Sequence, residues 1–166
     1  MKGQRSVAIW CALFVLPLFL LASIMGAKDE KGSKYLCSEA NPAGMCSADT
    51  TCGSPSTPCT VDIKRTSDAA TVTPSVPGAK ANAPFCIKVG TTLTWKSLSK
   101  NVGFVVDFGP SSPFDTGTII GGSDHPIKVV AKKPGCYKFS AGACVSGATY
   151  GMCGETNSEV VVTGGD

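Results

Sequence analysis

The stretch Gly135-Cys-Tyr-Lys-Phe-Ser-Ala-Gly-Ala-Cys144, with its continuation to Cys153 and the closing run Glu159-Val-Val-Val-Thr163, decides the fold class. Tyr137 and Phe139 share one face of an extended segment, Val160 and Val162 share one face of another, and a cysteine-bracketed loop lies between them. The same period of two recurs upstream. Ile127, Val129 and Ala131 alternate with Lys128, Val130 and Lys132, and Pro134-Gly135 turns the chain into the quoted strand. Val102, Phe104, Val106 and Phe108 form another inward set, ended by Gly109-Pro-Ser-Ser-Pro113. Leu93 and Trp95 alternate with Thr94 and Lys96, Phe85, Ile87 and Val89 with Cys86 and Lys88, and Val61 and Ile63 with Thr60, Asp62 and Lys64. Thr118 to Ile120 reads as a short edge strand, and Thr66 to Pro84, rich in Ser, Ala, Thr and Pro, as a long connection. Short strands separated by turn signals predict an all-β, two-sheet sandwich. Trp95, Phe104, Phe108, Tyr137 and Phe139 are then core, and Phe114, in Ser111-Ser112-Pro-Phe114, folds back onto it.

Composition agrees, since Gly (19) and Pro (11) are abundant in a chain of 166 residues. Fifteen Lys and Arg against twelve Asp and Glu, with no basic run beyond Lys132-Lys133, give no footprint for nucleic acid. Lys2 and Arg5 precede an uncharged apolar run from Val7 to Gly26, the pattern of an export signal with its positive end inside. The run is long enough to cross a bilayer. Pro17 and the polar segment starting at Lys28 favour cleavage, so residues 1–27 read as a signal peptide or signal anchor.

Nine cysteines are present, and setting aside Cys11 in the apolar leader leaves Cys37, Cys46, Cys52, Cys59, Cys86, Cys136, Cys144 and Cys153. An even number in an exported chain predicts disulfides, whose connectivity the sequence leaves open. No C-x-x-C occurs, which removes the thioredoxin-like motif and the paired zinc knuckle. Residues 28–58 form a cysteine-containing, low-complexity extension with too few large apolar side chains for a core of its own. Its three cysteines are an odd set, so at least one is expected to reach the domain at 59–166.

The phrases Thr60-Val-Asp-Ile-Lys64, Pro84-Phe-Cys-Ile-Lys-Val-Gly-Thr-Thr-Leu-Thr-Trp95, Pro134-Gly-Cys-Tyr-Lys-Phe139 and Val160-Val-Val162 resemble the strand order of the cupredoxins, the plastocyanin and azurin group. The resemblance implies a Greek-key β-sandwich. It also implies a copper held by two imidazoles, a thiolate and a weak axial thioether. Cys144 matches the thiolate position and Met152 the axial spacing. Gly147, however, stands where the loop histidine belongs, and Lys100-Asn-Val-Gly103 covers the earlier histidine position. His125 is the only histidine, and the C-x3-C of a binuclear site is missing. The resemblance therefore implies the fold without type 1 copper. A disulfide in the loop, worth about 2–4 kcal/mol, is expected in the metal's place.

Other constellations read more simply as structure. Asp124 and His125 are adjacent, so on a strand they point to opposite faces, and His-Pro is a turn sequence. Asp107, Asp115 and Asp124 match no calcium-loop spacing. No nucleophile, base and orienting group can be placed together, so an enzyme is not expected. The expectation is an exported binding or structural module without a cofactor. Its partner would be an extracytoplasmic protein or surface ligand, and it would touch the membrane only through an uncleaved leader, in secreted, periplasmic or anchored form. Its working surface is expected at a loop end carrying Asn101, Ser111 to Phe114, and Val145 to Tyr150. The alternative is copper binding, for trafficking, by Cys144, Met152 and His125 as soft ligands.

Overall fold

Alternating side chains become nine strands among the described residues of the computed structural model, which are 35–145 and 153–165. These are β1 (Cys59–Thr66), β2 (Ala69–Pro74), β3 (Phe85–Lys88), β4 (Thr92–Lys96), β5 (Val102–Asp107), β6 (Thr118–Gly122), β7 (Ile127–Val130), β8 (Gly135–Val145) and β9 (Gly154–Thr163). They form one all-β sheet in the order β6-β5-β8-β9-β2-β1-β4-β7, with β3 added to β9. The end strands β6 and β7 are neighbours in the chain, and a tight turn with a Gly122–His125 bridge joins them, so the sheet nearly closes on itself.

β9 organises this arrangement because its two halves serve different neighbours. Its whole length pairs antiparallel with β8, from Gly154–Ala143 to Val162–Gly135. Its C-terminal half takes β3 in parallel, and its N-terminal end takes β2 at Glu155–Ala69. At that crossing only glycine fits at position 154. A Cβ there would lie 2.2 Å from the Ala69 carbonyl carbon.

The inward residues are those the alternation selects. Trp95 is fully buried, edge-on to Phe139 at 5.6 Å and to Phe108 at 6.3 Å, and Phe114 folds back to stand edge-on to Phe108 at 5.2 Å. Such edge-to-face pairs add about 0.5–1.5 kcal/mol each beyond the area they bury. The indole N–H of Trp95 has no partner among the described residues, so its side chain is held by packing.

The run Val160-Val161-Val162 is buried on both faces, as strands covered on two sides are. Val160 and Val162 face the core. Val161 lies in an outer row, with Cys136 of β8 on one side and Cys86 of β3 on the other. The segment before β1 covers this row through Cys37–Cys136 and Cys46–Cys86. That segment has two short 3-10 turns, Leu36–Ser38 and Pro42–Met45, and a strand-like contact in which Cys52 N–H donates to the Cys86 carbonyl at 2.7 Å. Cys52–Cys59 closes it onto the start of β1. All three cysteines of the extension therefore reach residue 59 or beyond. Residues 35–166 form one compact unit.

β2 departs from the expected long connection. Ala70, Val72 and Pro74 face inward and Thr71 and Thr73 outward, a period of two written in small residues. Asn82, at φ +61°, completes the strand: its side-chain oxygen accepts Val72 N–H at 2.8 Å, and its own N–H donates to the Val72 carbonyl. Among the described residues no helix is long and apolar enough to cross a membrane, and the leader at 1–27 lies outside them. Four disulfides are typical of extracytoplasmic proteins.

Candidate functional site

The β8–β9 hairpin brings Cys144 and Cys153 directly opposite one another, one register step beyond Ala143–Gly154, and they are bonded as a disulfide. Cys144 thus carries no thiolate in this structure. Cys153 is exposed and Cys144 half-buried. On the other side, Cys144 pairs with Gly103 of β5, Gly103 pairs with Gly122 of β6, and Gly122 bridges to His125. Cys144 and His125 therefore sit three strand-to-strand steps apart, roughly 14 Å at ordinary strand spacing. Met152 and the loop residue Gly147 lie outside the described residues.

Gly103 and Gly122 leave a cleft of about 400 Å³ beside this row, rimmed by Asn101, Ile120, Asp124 and His125. His125 is exposed on its turn, where its N–H donates to the Gly122 carbonyl at 3.2 Å. Asn101 adopts φ +58°, the left-handed conformation that asparagine tolerates in turns.

Ser111 to Phe114 do not belong to this end. β5 carries the chain from Val102, opposite Val145, to Asp107, opposite Ser140. Its six residues span roughly 20 Å. The loop that follows lies at the far end, where the Pro113 carbonyl accepts Lys132 N–H and Asp115 pairs with Lys132. The expected working surface is thus split: Asn101 and Val145 share one end, Ser111 to Phe114 occupy the other, and 146–150 lie outside the described residues. Two of the three aspartates weighed for calcium have other partners. Asp107 Oδ1 accepts Gly109 N–H at 3.0 Å and the Thr118 hydroxyl at 3.1 Å, and Asp115 is spent on Lys132. Among the described residues no group of three or more His, Cys, Asp and Glu is placed to hold a metal ion.

Two carboxylates act structurally in ways the alternation did not reveal. Glu159, 4 % exposed, accepts Leu36 N–H at 2.7 Å and Cys37 N–H at 3.1 Å, clamping the N-terminal segment beside Cys37–Cys136. Asp62 accepts Leu98 N–H at 2.9 Å and pairs with Lys64 at 3.0 Å. Acceptors for N–H groups distant in sequence leave no local signal. Burial pushes the Tyr137 phenol above its ordinary value. No protein-family model matches the chain, and no curated protein is significantly similar to it.

Proposed function

We propose that this chain is an exported, disulfide-stabilised, cupredoxin-like module that binds or scaffolds at an extracytoplasmic surface and holds no type 1 copper. The observation that carries the reading is the Cys144–Cys153 disulfide. The residue that the family resemblance assigns as copper thiolate has its sulfur committed to a neighbour, in a chain with a single histidine. A thiolate is the ligand such a copper needs, and a disulfide sulfur does not supply it. The bridge instead closes the hairpin at its mouth, the role that a metal would otherwise fill. The cupredoxin-like assignment draws its support from the buried Trp95, from the long β8–β9 hairpin, and from the parallel pairings of β1 with β4 and β3 with β9.

The test is a copper titration of the oxidised protein, followed by visible absorption and by a competing chromophoric chelator for copper(I). The expected result is neither a thiolate-to-copper band nor stoichiometric binding. One copper bound per chain, and lost in Cys144→Ser, would replace this reading with copper handling.

A further inference from the structure

The strand register sorts the outward side chains into two faces of opposite charge. On the β6-β5-β8-β9 side, Ile120 is the register partner of Val105, and they are 70 % and 37 % exposed. The row continues through Gly142, which has no side chain, to Glu155. Asp107 lies one row below the apolar pair, and Asp124 on the turn above it. None of these three acids has a cationic partner among the described residues. Among the described outward positions of these four strands the one lysine is Lys138, at the far end of the face, with its ammonium 4.2 Å over the Tyr35 ring and 3.4 Å from the Ser38 hydroxyl.

The β2-β1-β4-β7 side is the converse. Its outward positions include threonines on β2, β1 and β4, the lysines Lys64, Lys96 and Lys128, and Val130, 42 % exposed; the one acid among them, Asp62, is the register partner of Lys96 and only 9 % exposed, so the lysines outnumber it three to one. Lys64 is paired with Asp62, whereas Lys96 and Lys128 have no anionic partner among the described residues. Thr94 is the register partner of Lys128 and Thr92 of Val130, so methyl groups and the lysines share one patch.

It follows that the chain carries both halves of one complementary contact. We infer that the Ile120–Val105 face, with its rim of Asp107, Asp124 and Glu155, docks on the Lys96–Lys128–Val130 face of a second copy. A two-fold contact of either face with itself would oppose like charges, so the association runs head to tail and does not close on two copies. Strand addition at the β6 edge is a poorer route. Thr118 N–H and carbonyl are both engaged by the Thr116 hydroxyl, and Gly122 is engaged by His125, which leaves only Ile120 open on that edge. The inference rests on reading the chain as a binding or structural module, and names its partner.

The experiment is sedimentation velocity on the chain purified as its host exports it, over a concentration series, at about 0.05 M and about 0.5 M salt. Species larger than a monomer are expected to grow with concentration at low salt and to need at least about tenfold more protein at high salt. Ile120→Lys and Lys128→Glu, both at exposed positions, should each abolish association, the first by setting a cation on the acidic face against the lysines of the second copy, the second by setting an anion on the basic face against its acids. Mixed one to one, they should form a two-chain complex and nothing larger, because each keeps the face the other has lost. A monomer at every concentration, assembly indifferent to salt and to both variants, or a mixture that does not restore a dimer would each overturn the proposal. The thiol and copper results would stand under any of these outcomes, so failure here is separable from failure of the functional reading.

Discussion

Replacing Cys144 and Cys153 together by serine is expected to lower stability without unmaking the fold. The bridge closes a short loop, with a sequence separation of 9, against 99 for Cys37–Cys136. Loop-closure entropy gives about 2.7 kcal/mol for the short loop and about 4.7 kcal/mol for the long one. Serine adds little cost of its own at this site, where Cys153 is exposed and Cys144 half-buried. The nine register pairs of the β8–β9 hairpin and the other three bridges remain. Spread over the compact unit, the loss corresponds to a fall of about 10 °C in Tm, taking about 2.1 cal/mol/K of unfolding entropy per residue. Thermal unfolding followed by circular dichroism in non-reducing buffer measures it, with the far-ultraviolet spectrum unchanged at low temperature. A double variant that melts within about 2 °C of the parent would refute the reasoning, because the bridge would then not constrain the unfolded chain. A loss seen only with copper present would assign the stabilisation to a metal.

Glu159→Gln should cost about 1–3 kcal/mol in denaturant unfolding, because an amide can accept only one of the two N–H groups now held by the carboxylate. It should also speed reduction of Cys37–Cys136, which that clamp holds in place, and an unchanged rate would argue against the clamp. Gly154→Ala should destabilise the β9–β2 crossing, since the added methyl meets the Ala69 backbone; a parent-like Tm in chemical denaturation or heat would contradict that close approach. The Tyr137 phenol is raised in the folded state, so its contribution is complete below about pH 10 and is lost as pH rises through the folded value. Tyr137→Phe should therefore flatten the alkaline decline of stability, and an equally steep decline in both proteins would locate it elsewhere.

Much of the fold was legible because large apolar side chains alternate along β1, β4 and β5, and Trp95, Phe104, Phe108 and Phe139 line the core, with Tyr137 partly buried against it. β2 was harder to see. Ala70, Val72 and Pro74 alternate with small neighbours, so the segment looks like a connection until Val72 and Asn82 are seen to bond. The disulfide pairing was not legible at all, because it depends on which outer row of the sheet the extension crosses. Cys136 and Cys86 are 50 positions apart in number yet flank the same Val161. The site was legible in part. The chain's composition exposed the missing histidines, whereas the bridge that occupies Cys144 needed the β8–β9 register. Ser111 to Phe114 lie at the other end from Asn101 because a loop's neighbours depend on strand direction, which side-chain alternation does not encode.

Whether the sulfur of Cys144 is committed to Cys153 can be read by peptide mapping. The oxidised, exported chain is alkylated under denaturing conditions, digested without reduction and mapped by mass. None of the eight cysteines from Cys37 to Cys153 is expected to be alkylated, with the four pairs Cys37–Cys136, Cys46–Cys86, Cys52–Cys59 and Cys144–Cys153. An alkylated Cys144 in the native oxidised protein would contradict that pairing and leave the loop chemically live.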